Sequence, residues 1–244
     1  AQPYSLSASK TIIFDTETTG LNPGEDEIIQ ISIIDGLGNV LINELVHPYW
    51  KKSWSEAARV NGITPDRVAN APYPHELIPK VKGIFAAADL LVAYNNQFDL
   101  NFLEEWGIQA IGKKQFDVML AFAREYGEWN DFFCDYKWQK LGTAAAYYGY
   151  HFRAHDSLED VRATLYIFDQ MQHSNKRELF EDYFWEDSED EFDDGETYEE
   201  DYDDAGTESY EEEYDQDYYD EYEEELAEYD AEEPSDDIED IAAG

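Results

Sequence analysis

Two acidic residues, Asp15 and Glu17, stand one residue apart in the segment F-D-T-E-T-T-G at residues 14–20. Side chains at positions i and i+2 of a β-strand point to the same face, so both carboxylates can converge on one point. Residues 10–14 predict a buried strand before them, and residues 19–24 predict its exit turn. Converging carboxylates suit a hard divalent cation such as Mg²⁺ or Mn²⁺. A polar strand end can also have this spacing, so the assignment depends on the rest of the chain.

Two further segments place acidic residues next to predicted elements. Residues 89–94 predict a second buried strand, and the spacing then becomes helical, which puts Asp99 in the first turn of a helix. Nearer the C-terminus, residues 157–172 predict a long amphipathic helix with Asp160 about one turn inside it. His155 lies in the loop before this helix. These positions add candidate acidic residues on two further predicted elements.

Three motifs follow one another along the chain: F-D-T-E-T-T-G at residues 14–20, N-x-x-F-D-x-x-F-L at residues 95–103 and H-x-x-x-x-D at residues 155–160. In order and separation they resemble the motifs of the DEDDh 3′→5′ exonucleases. This DnaQ-like group includes the proofreading epsilon subunit of bacterial DNA polymerase III and ribonuclease T. The resemblance extends over about residues 11–172.

The resemblance implies an α/β fold of the ribonuclease-H-like type, a mixed β-sheet flanked by helices. The hydrophobic pattern independently predicts three antiparallel strands followed by alternating strands and helices. The predicted strands are near residues 11–15, 28–35, 40–47, 90–94 and 114–116. The predicted helices are near residues 55–59, 75–87, 99–106, 118–126, 138–148 and 157–172.

The resemblance also implies the chemistry of the acidic residues. Asp15, Glu17, Asp99 and Asp160 are expected to hold two divalent metal ions, Mg²⁺ or Mn²⁺. Two such ions can activate water and neutralise the charge of a phosphodiester during hydrolysis. His155 is expected to be the general base, since an unperturbed histidine has a pKa of about 6.5 and accepts a proton at neutral pH.

The family pattern implies contacts with the 3′-terminal nucleotide as well. Thr16, Thr18 and Leu21 are expected to cradle this nucleotide, and Phe98 is expected to line the same pocket. An aromatic face packs on any base without reading its sequence. Ordinary core packing on a helix face explains Phe98 equally well at this point.

Two positions depart from the family pattern. Tyr94 and Asn61 stand where family members often carry histidine. Neither position belongs to the catalytic set. The departures therefore concern substrate contacts and subfamily more than activity.

Charge is distributed very unevenly along the chain. Residues 1–185 contain all 16 Lys and Arg with 26 acidic residues, whereas residues 186–244 contain 32 acidic residues and no Lys or Arg. This composition predicts an exonuclease domain at residues 1–185 and an acidic, tyrosine-rich tail at residues 186–244, for which disorder is the default expectation. The acidic balance of the domain disfavours strong phosphate binding. Local basic clusters remain at Lys51–Lys52, Lys80 and Lys82, Lys113–Lys114, and Lys137 and Lys140.

Tyrosines are interleaved with the acids of the tail. Negative charge combined with flat rings resembles what single-stranded nucleic acid offers to a protein. One hypothesis is that the tail mimics nucleic acid and occupies the enzyme's own groove or a basic partner, such as a polymerase or single-strand-binding protein. The alternative is a tail that only solvates the protein. The tyrosines are Tyr198, Tyr202, Tyr210, Tyr214, Tyr218, Tyr219, Tyr222 and Tyr229.

The leading prediction is a metal-dependent 3′→5′ exonuclease that releases nucleoside 5′-monophosphates from single-stranded DNA ends. The same chemistry on RNA is one alternative, since the sequence does not show whether a 2′-hydroxyl is accepted. A non-catalytic adaptor or nucleic-acid mimic is the other. The single cysteine, Cys134, and the absence of a signal peptide or a membrane-spanning run predict a cytoplasmic protein without a membrane partner.

The two hypotheses for the tail predict different effects of deleting it. If the tail occupies the nucleic-acid groove, residues 1–185 should bind DNA more tightly and cleave it faster than the full chain, most clearly at low salt. If the tail only solvates the protein, solubility alone should change. The measurement is DNA affinity and cleavage rate for both proteins at two salt concentrations. Equal values at both concentrations contradict autoinhibition, and a pull-down with the isolated tail then tests partner docking.

Overall fold

The computed structural model describes residues 7–132, 134–173, 180 and 183–186. The strands are β1 (Thr11–Thr18), β2 (Ile28–Asp35), β3 (Val40–Leu45), β4 (Leu90–Ala93), β5 (Lys114–Asp117), β6 (Trp129–Asn130), β7 (Asp135–Tyr136) and β8 (Phe184–Glu186). The helices are α1 (Ser55–Asn61), α2 (Pro65–Val68), α3 (Pro74–Ala87), α4 (Asn96–Glu104), α5 (Val118–Tyr126), α6 (Leu141–Tyr147) and α7 (Ser157–Gln172), and a 3₁₀ turn at Ala8–Lys10 precedes β1. Among the described residues, no helix has the length and apolarity needed to cross a membrane.

The first three strands form an antiparallel meander. β1 pairs with β2 so that Ile13 lies opposite Ile34, and β3 pairs with the other edge of β2. Asp35 closes the turn between β2 and β3, because its Oδ1 accepts the backbone N–H groups of Leu37 and Asn39, each at 2.9 Å. The turn joins two of the three strands that the sequence predicted to be antiparallel.

The other edge of β1 carries the parallel part of the sheet. β4 runs parallel to β1, β5 runs parallel to β4, and α4 lies in the crossover that joins β4 to β5. β8 adds an antiparallel edge, with Phe184 opposite Phe116. The strand order is therefore β3-β2-β1-β4-β5-β8, and β6 and β7 form a separate hairpin.

Alternation of side chains along β1 divides the core into two layers. Phe14 packs in the layer that contains α3 and α4, whereas Ile13 packs in the layer that contains α5, α6 and α7. The same period of two continues past the apolar residues. It directs Asp15 and Glu17 toward α7 and Thr16 toward α4.

The predicted mixed sheet flanked by helices is confirmed, and α5 and α7 have the predicted bounds. β1 is longer than predicted, because β2 pairs with it as far as Thr18. Asp15 and Glu17 consequently lie within the strand rather than at its end. The short elements α2, β6, β7 and β8 were not predicted, since segments of two to four residues carry too little periodicity.

The predicted tail, residues 186–244, lies outside the described residues except for Glu186. Glu186 is the last residue of β8 and pairs with Lys114. The chain divides into two units between Asp193 and Asp194, and all described residues belong to the first. A deletion that preserves β8 therefore begins after Glu186.

Candidate active site

Three carboxylates converge between β1 and the start of α7. Asp15 and Glu17 project from the strand, and Asp160 projects from the helix. One oxygen of each lies within 4.8 Å of the other two. Asp160 is buried, and the other two residues are half-buried. Like charges at this separation repel one another strongly, so the group favours protonation or a bound cation.

The first turn of α7 fixes the position of Asp160. Asp156 is the N-cap residue, and its carbonyl accepts the backbone N–H of Asp160 at 2.9 Å. Ser157 is fully buried, and its hydroxyl lies 2.5 Å from that of Ser32 in β2. Ser32 is directly opposite Asp15 in the sheet. The serine contact therefore docks the helix start beside the strand that carries the other two carboxylates.

His155 precedes the N-cap in a left-handed backbone conformation, with φ of +66°. This conformation costs about 1–2 kcal/mol for a residue with a Cβ atom. The backbone N–H of His155 donates to Oδ2 of Asp160 at 3.2 Å, which stabilises the loop. Burial raises the pKa of both Glu17 and Asp160, and the positive charge that the His155 ring can carry opposes this rise. The ring therefore interacts electrostatically with the carboxylate cluster.

Asp99, the fourth predicted carboxylate, approaches from the opposite face of the sheet. It is buried in the first turn of α4, and its Oδ1 accepts both the N–H of Thr16 at 2.8 Å and the hydroxyl of Thr16 at 2.6 Å. Thr16 stands between Asp15 and Glu17 in the chain. Asp99 is not among the three carboxylates whose oxygens lie within 4.8 Å of one another. Its charge nevertheless adds to the effect of burial in raising the pKa of Asp15.

Asp117 holds the turn that presents Asp99. Its carboxylate accepts the N–H groups of Asn95 at 3.2 Å and Asn96 at 2.8 Å, at the start of α4. The same carboxylate accepts the N–H of Met119 at 2.9 Å and so caps α5. One buried side chain thereby joins the beginnings of two helices, and Asp117 is a positioning residue for Asp99.

Burial raises the pKa of all four predicted metal ligands. Desolvation is the largest cause for each of them. The pKa of Glu17 is raised to about 8, and those of Asp99 and Asp160 are raised to about 7. Repulsion from the other three adds to the raised pKa of Asp15. At neutral pH the cluster therefore retains protons that a cation would displace.

Two oxygens of the cluster show that its residues fit a divalent cation. Oδ2 of Asp15 and Oδ1 of Asp160 are buried and accept no hydrogen bond. A buried acceptor without a partner costs about 1–3 kcal/mol, and more when it is charged. All the atoms that would bind the metal ion are carboxylate oxygens, which suit Mg²⁺ or Mn²⁺ rather than a soft metal ion.

The two positions that depart from the family pattern have roles that the sequence did not predict. The Nδ2 atom of Asn61 donates to the carbonyl of Thr18 at 3.3 Å, and its side chain also hydrogen-bonds Glu17, which lowers the pKa of that carboxyl. Asn61 is therefore a positioning residue for Glu17. The hydroxyl of Tyr94 donates to the carbonyl of Gln139 and ties β4 to the loop before α6. In the sequence, the signal that could have indicated the role of Asn61 beside Glu17 is its place at a position of the family pattern.

The residues predicted to contact a nucleotide occupy different environments. Both donors of Thr16 bond to the carboxylate in α4. The hydroxyl of Thr18 donates to a carbonyl of the exit turn at 2.6 Å, and Leu21 is half-buried in that turn. Phe98 is half-buried with its ring centroid 5.1 Å from that of Phe102, which belongs to the core. Nucleotide contact by Thr16, Thr18, Leu21 and Phe98 stays a prediction.

Comparison with known proteins identifies related sequences. A family model described as Exonuclease (RNase_T) matches residues 12–168, which include the four acidic residues and His155. The chain is 34% identical over 173 residues to the uncharacterized exonuclease CP81 of Escherichia phage 186, covering 66% of this chain and 87% of that protein. It is 30% identical over 163 residues to the PolC-type DNA polymerase III of Thermotoga maritima, covering 64% of this chain but 11% of the polymerase.

Solved structures share the fold. Escherichia coli Exonuclease I in complex with a dA16 oligonucleotide matches with a TM-score of 0.58 and 20% identity, covering 70% of this chain and 42% of that chain. This likeness confirms the ribonuclease-H-like sheet flanked by helices. A family model that matches most of the domain and a phage relative that matches over most of its length confirm the resemblance to DnaQ-like proteins. The chain belongs to the exonuclease family, and residues 12–168 carry the family's match.

Proposed function

We propose that this protein is a 3′→5′ exonuclease that uses two divalent metal ions to release nucleoside 5′-monophosphates from single-stranded DNA. The observation that carries the proposal is the pair of buried, unpartnered oxygens on Asp15 and Asp160, which cluster with Glu17. Apolar side chains at these positions would avoid the cost of burying charge. Retaining three carboxylates here is a structural disadvantage that metal binding explains.

The chain offers a complete set of hard ligands for this chemistry. Asp15, Glu17 and Asp160 would hold the ions, with Asp99 completing the set. Two ions bound there would neutralise charge on the scissile phosphate and on the leaving oxygen and lower the pKa of the attacking water. The protein contributes fixed ligand positions, because hydrogen bonds hold Asp99 and Asp160 in place.

His155 is the proposed general base. Its backbone is fixed next to Asp160, and its ring interacts electrostatically with Glu17 and Asp160. Neutral imidazole can take the proton of the attacking water, and the neighbouring carboxylates stabilise the imidazolium that forms. The proposed role of the His155 side chain is therefore to remove the proton of the attacking water, and it is not one of the proposed metal ligands.

Single-stranded DNA is the proposed substrate because of the proteins that the chain resembles. One relative is a PolC-type DNA polymerase III, and Exonuclease I was crystallised with a dA16 oligonucleotide. We extend this substrate to the present chain as part of the proposal. The acidic residues 186–244 add a proposed contact with a basic protein, such as a polymerase or single-strand-binding protein.

Product analysis tests the proposed activity. Labelled DNA and RNA strands of the same sequence, incubated with Mg²⁺ or with a chelator, are separated by chromatography. We expect stepwise shortening from the 3′ end, release of nucleoside 5′-monophosphates only with Mg²⁺, and faster cleavage of DNA. Preferential cleavage of RNA would identify an exoribonuclease, and cleavage of neither strand would favour a non-catalytic adaptor.

Asp15→Asn and Asp160→Asn should each abolish Mg²⁺-dependent cleavage, because each removes a metal ligand. Both should also raise the melting temperature of the metal-free protein, since they relieve repulsion between buried carboxylates. Glu159→Gln is the matched control, because Glu159 lies in the same helical turn but pairs with Arg162 at 2.6 Å. Substantial activity in either aspartate variant contradicts the metal assignment.

His155→Asn should lower turnover by about 10²–10⁴, the usual contribution of a positioned acid–base group. Asparagine tolerates the left-handed backbone that His155 adopts, so the loop should keep its conformation. The limb of the pH–rate profile between about pH 6 and 7 should disappear at saturating Mg²⁺. The control is His151→Asn, which changes an exposed histidine nearby. A profile that keeps this limb rules out His155 as the base.

The raised carboxyl pKa values predict a metal-sensitive dependence of stability on pH. Below about pH 4 the carboxyl groups are protonated in both the folded and the unfolded chain. As the pH rises toward the folded pKa values of about 7 for Asp160 and about 8 for Glu17, the unfolded chain releases protons that the folded chain retains. The free energy of unfolding therefore falls across this window.

Mg²⁺ should reduce the fall in the free energy of unfolding with rising pH, because it replaces the protons on the clustered carboxylates. Thermal unfolding measured from acid to mildly alkaline pH, with Mg²⁺ and with a chelator, checks this expectation. Asp15→Asn should show both a smaller fall and a smaller Mg²⁺ effect. Identical curves with and without Mg²⁺ in the wild-type protein would contradict it.

A further inference from the structure

Three exposed aromatic residues, Tyr49, Tyr73 and His75, form a surface that the proposed active site does not use. We call them the aromatic platform. Their rings are nearly parallel, with angles of 14° between Tyr49 and Tyr73, 9° between Tyr49 and His75, and 19° between Tyr73 and His75. Tyr49 and Tyr73 are 44% and 40% exposed, so the rings are available to a ligand.

The hydrogen bond between Tyr49 and His75 shows how these two rings are arranged. The phenol oxygen of Tyr49 lies 2.7 Å from Nδ1 of His75, while the ring centroids are 6.0 Å apart. Stacked rings need about 3.5–4.0 Å between the carbon atoms of their two planes. A contact of 2.7 Å between in-plane atoms of two nearly parallel rings holds the planes closer together than this. The two rings therefore lie side by side and present one extended flat surface.

A buried carboxylate fixes the loop that carries Tyr49. Glu27 is 6% exposed and accepts the backbone N–H groups of Tyr49 at 2.6 Å, Trp50 at 3.0 Å and Lys51 at 2.8 Å. Hydrogen bonds to an ionised acceptor are stronger than neutral ones. The loop is thus ordered before any ligand arrives, which lowers the entropy lost on binding.

The same glutamate connects the aromatic platform to the strand that carries the metal ligands. The N–H of Thr19 donates to the carbonyl of Glu27 at 2.9 Å, and the N–H of Glu27 donates to the hydroxyl of Thr19 at 3.0 Å. Thr19 is two residues beyond Glu17. This path limits the distance between Glu17 and the ring of Tyr49 to roughly 25 Å.

Charge and ring chemistry around the platform match a nucleic acid. Trp50 is 57% exposed and adds a ring at 24° to that of Tyr49. Lys52 lies two residues beyond it, and its Nζ donates to the carbonyl of Tyr49 at 3.3 Å, whereas Nζ of Lys51 is paired with Asp26 at 2.7 Å. Flat rings beside cations stack bases and attract phosphates. Tyrosine and histidine also place polar atoms at the ring edges, which suits a hydrated ligand better than a lipid or an aliphatic protein surface.

We infer that the aromatic platform binds bases of a single-stranded nucleic acid upstream of the 3′ end held at Asp15, Glu17 and Asp160. The position of that 3′ end rests on the proposed function. Base stacking tolerates any sequence, so the platform binds without sequence preference. The platform strengthens binding of strands that are long enough to span from the three carboxylates to Tyr49. Shorter strands do not reach the platform, so their binding is unaffected.

The test measures binding and cleavage separately in the full chain. Binding of a long fluorescent oligothymidylate is followed by anisotropy in the Asp15→Asn background, and cleavage of the long strand and of a dinucleotide is followed in the active protein. Tyr73→Leu removes the ring but keeps apolar bulk, and Tyr73→Phe keeps the ring. Trp129→Leu is the control, because Trp129 is an exposed aromatic residue of β6, outside the platform.

We expect Tyr73→Leu to weaken binding of the long strand by about 5- to 160-fold, the range for loss of one base stack. Tyr73→Phe and Trp129→Leu should bind like the parent, and dinucleotide cleavage should be unchanged in all three. The inference is overturned if Tyr73→Leu binds the long strand as tightly as the parent. It is also overturned if Tyr73→Leu and Tyr73→Phe lose affinity equally, or if cleavage of the long strand and of the dinucleotide falls equally. Failure of the proposed function is distinct, because the wild-type protein would then cleave neither substrate while binding remained measurable.

Discussion

The period of two along β1 is the constraint on which the site depends. Successive side chains of a strand alternate between faces, so Asp15 and Glu17 meet α7 while Thr16 meets α4. One short segment thereby faces helices on both sides of the sheet. The helix on one face supplies Asp160, and the helix on the other supplies Asp99. A shift of one residue in the strand register would exchange the two sets of side chains.

Buried carboxylates in this protein fall into two classes that differ in their hydrogen bonds. Glu27 and Asp117 each accept several backbone N–H groups, so their burial orders a loop or a helix start. Asp15 and Asp160 instead each keep one buried oxygen without a partner. Burial raises the pKa of Asp117 as well as those of Asp15 and Asp160, so the two classes differ in their hydrogen bonds and not in the direction of the pKa shift. Asp99 combines features of both classes, because it accepts two hydrogen bonds from Thr16 and is also one of the predicted metal ligands.

The departures from the family pattern show how one position can be filled by different chemistry. Asn61 stands where relatives often carry a histidine, and its amide bonds to both Thr18 and Glu17. It orients the Glu17 carboxylate without adding a second titratable group beside it. Tyr94 similarly uses its hydroxyl to hold a distant loop. Of the two, Asn61 contacts one of the clustered carboxylates, whereas the hydroxyl of Tyr94 donates to a backbone carbonyl.

The sequence alone determined the local features of this protein. The strand that carries Asp15 and Glu17, the helical position of Asp99, the helix over residues 157–172 with Asp160, and the mixed sheet all followed from periodicity and motif order, because these signals are short-range. The length of β1 did not, since its last residues are strand only through pairing with β2. The attachment of Asp99 to Thr16, the support of Glu17 by Asn61 and the ring arrangement of Tyr49 with His75 join residues far apart in the chain. Only the tertiary structure decided these contacts, because long-range packing sets which side chains face one another and no local pattern records it.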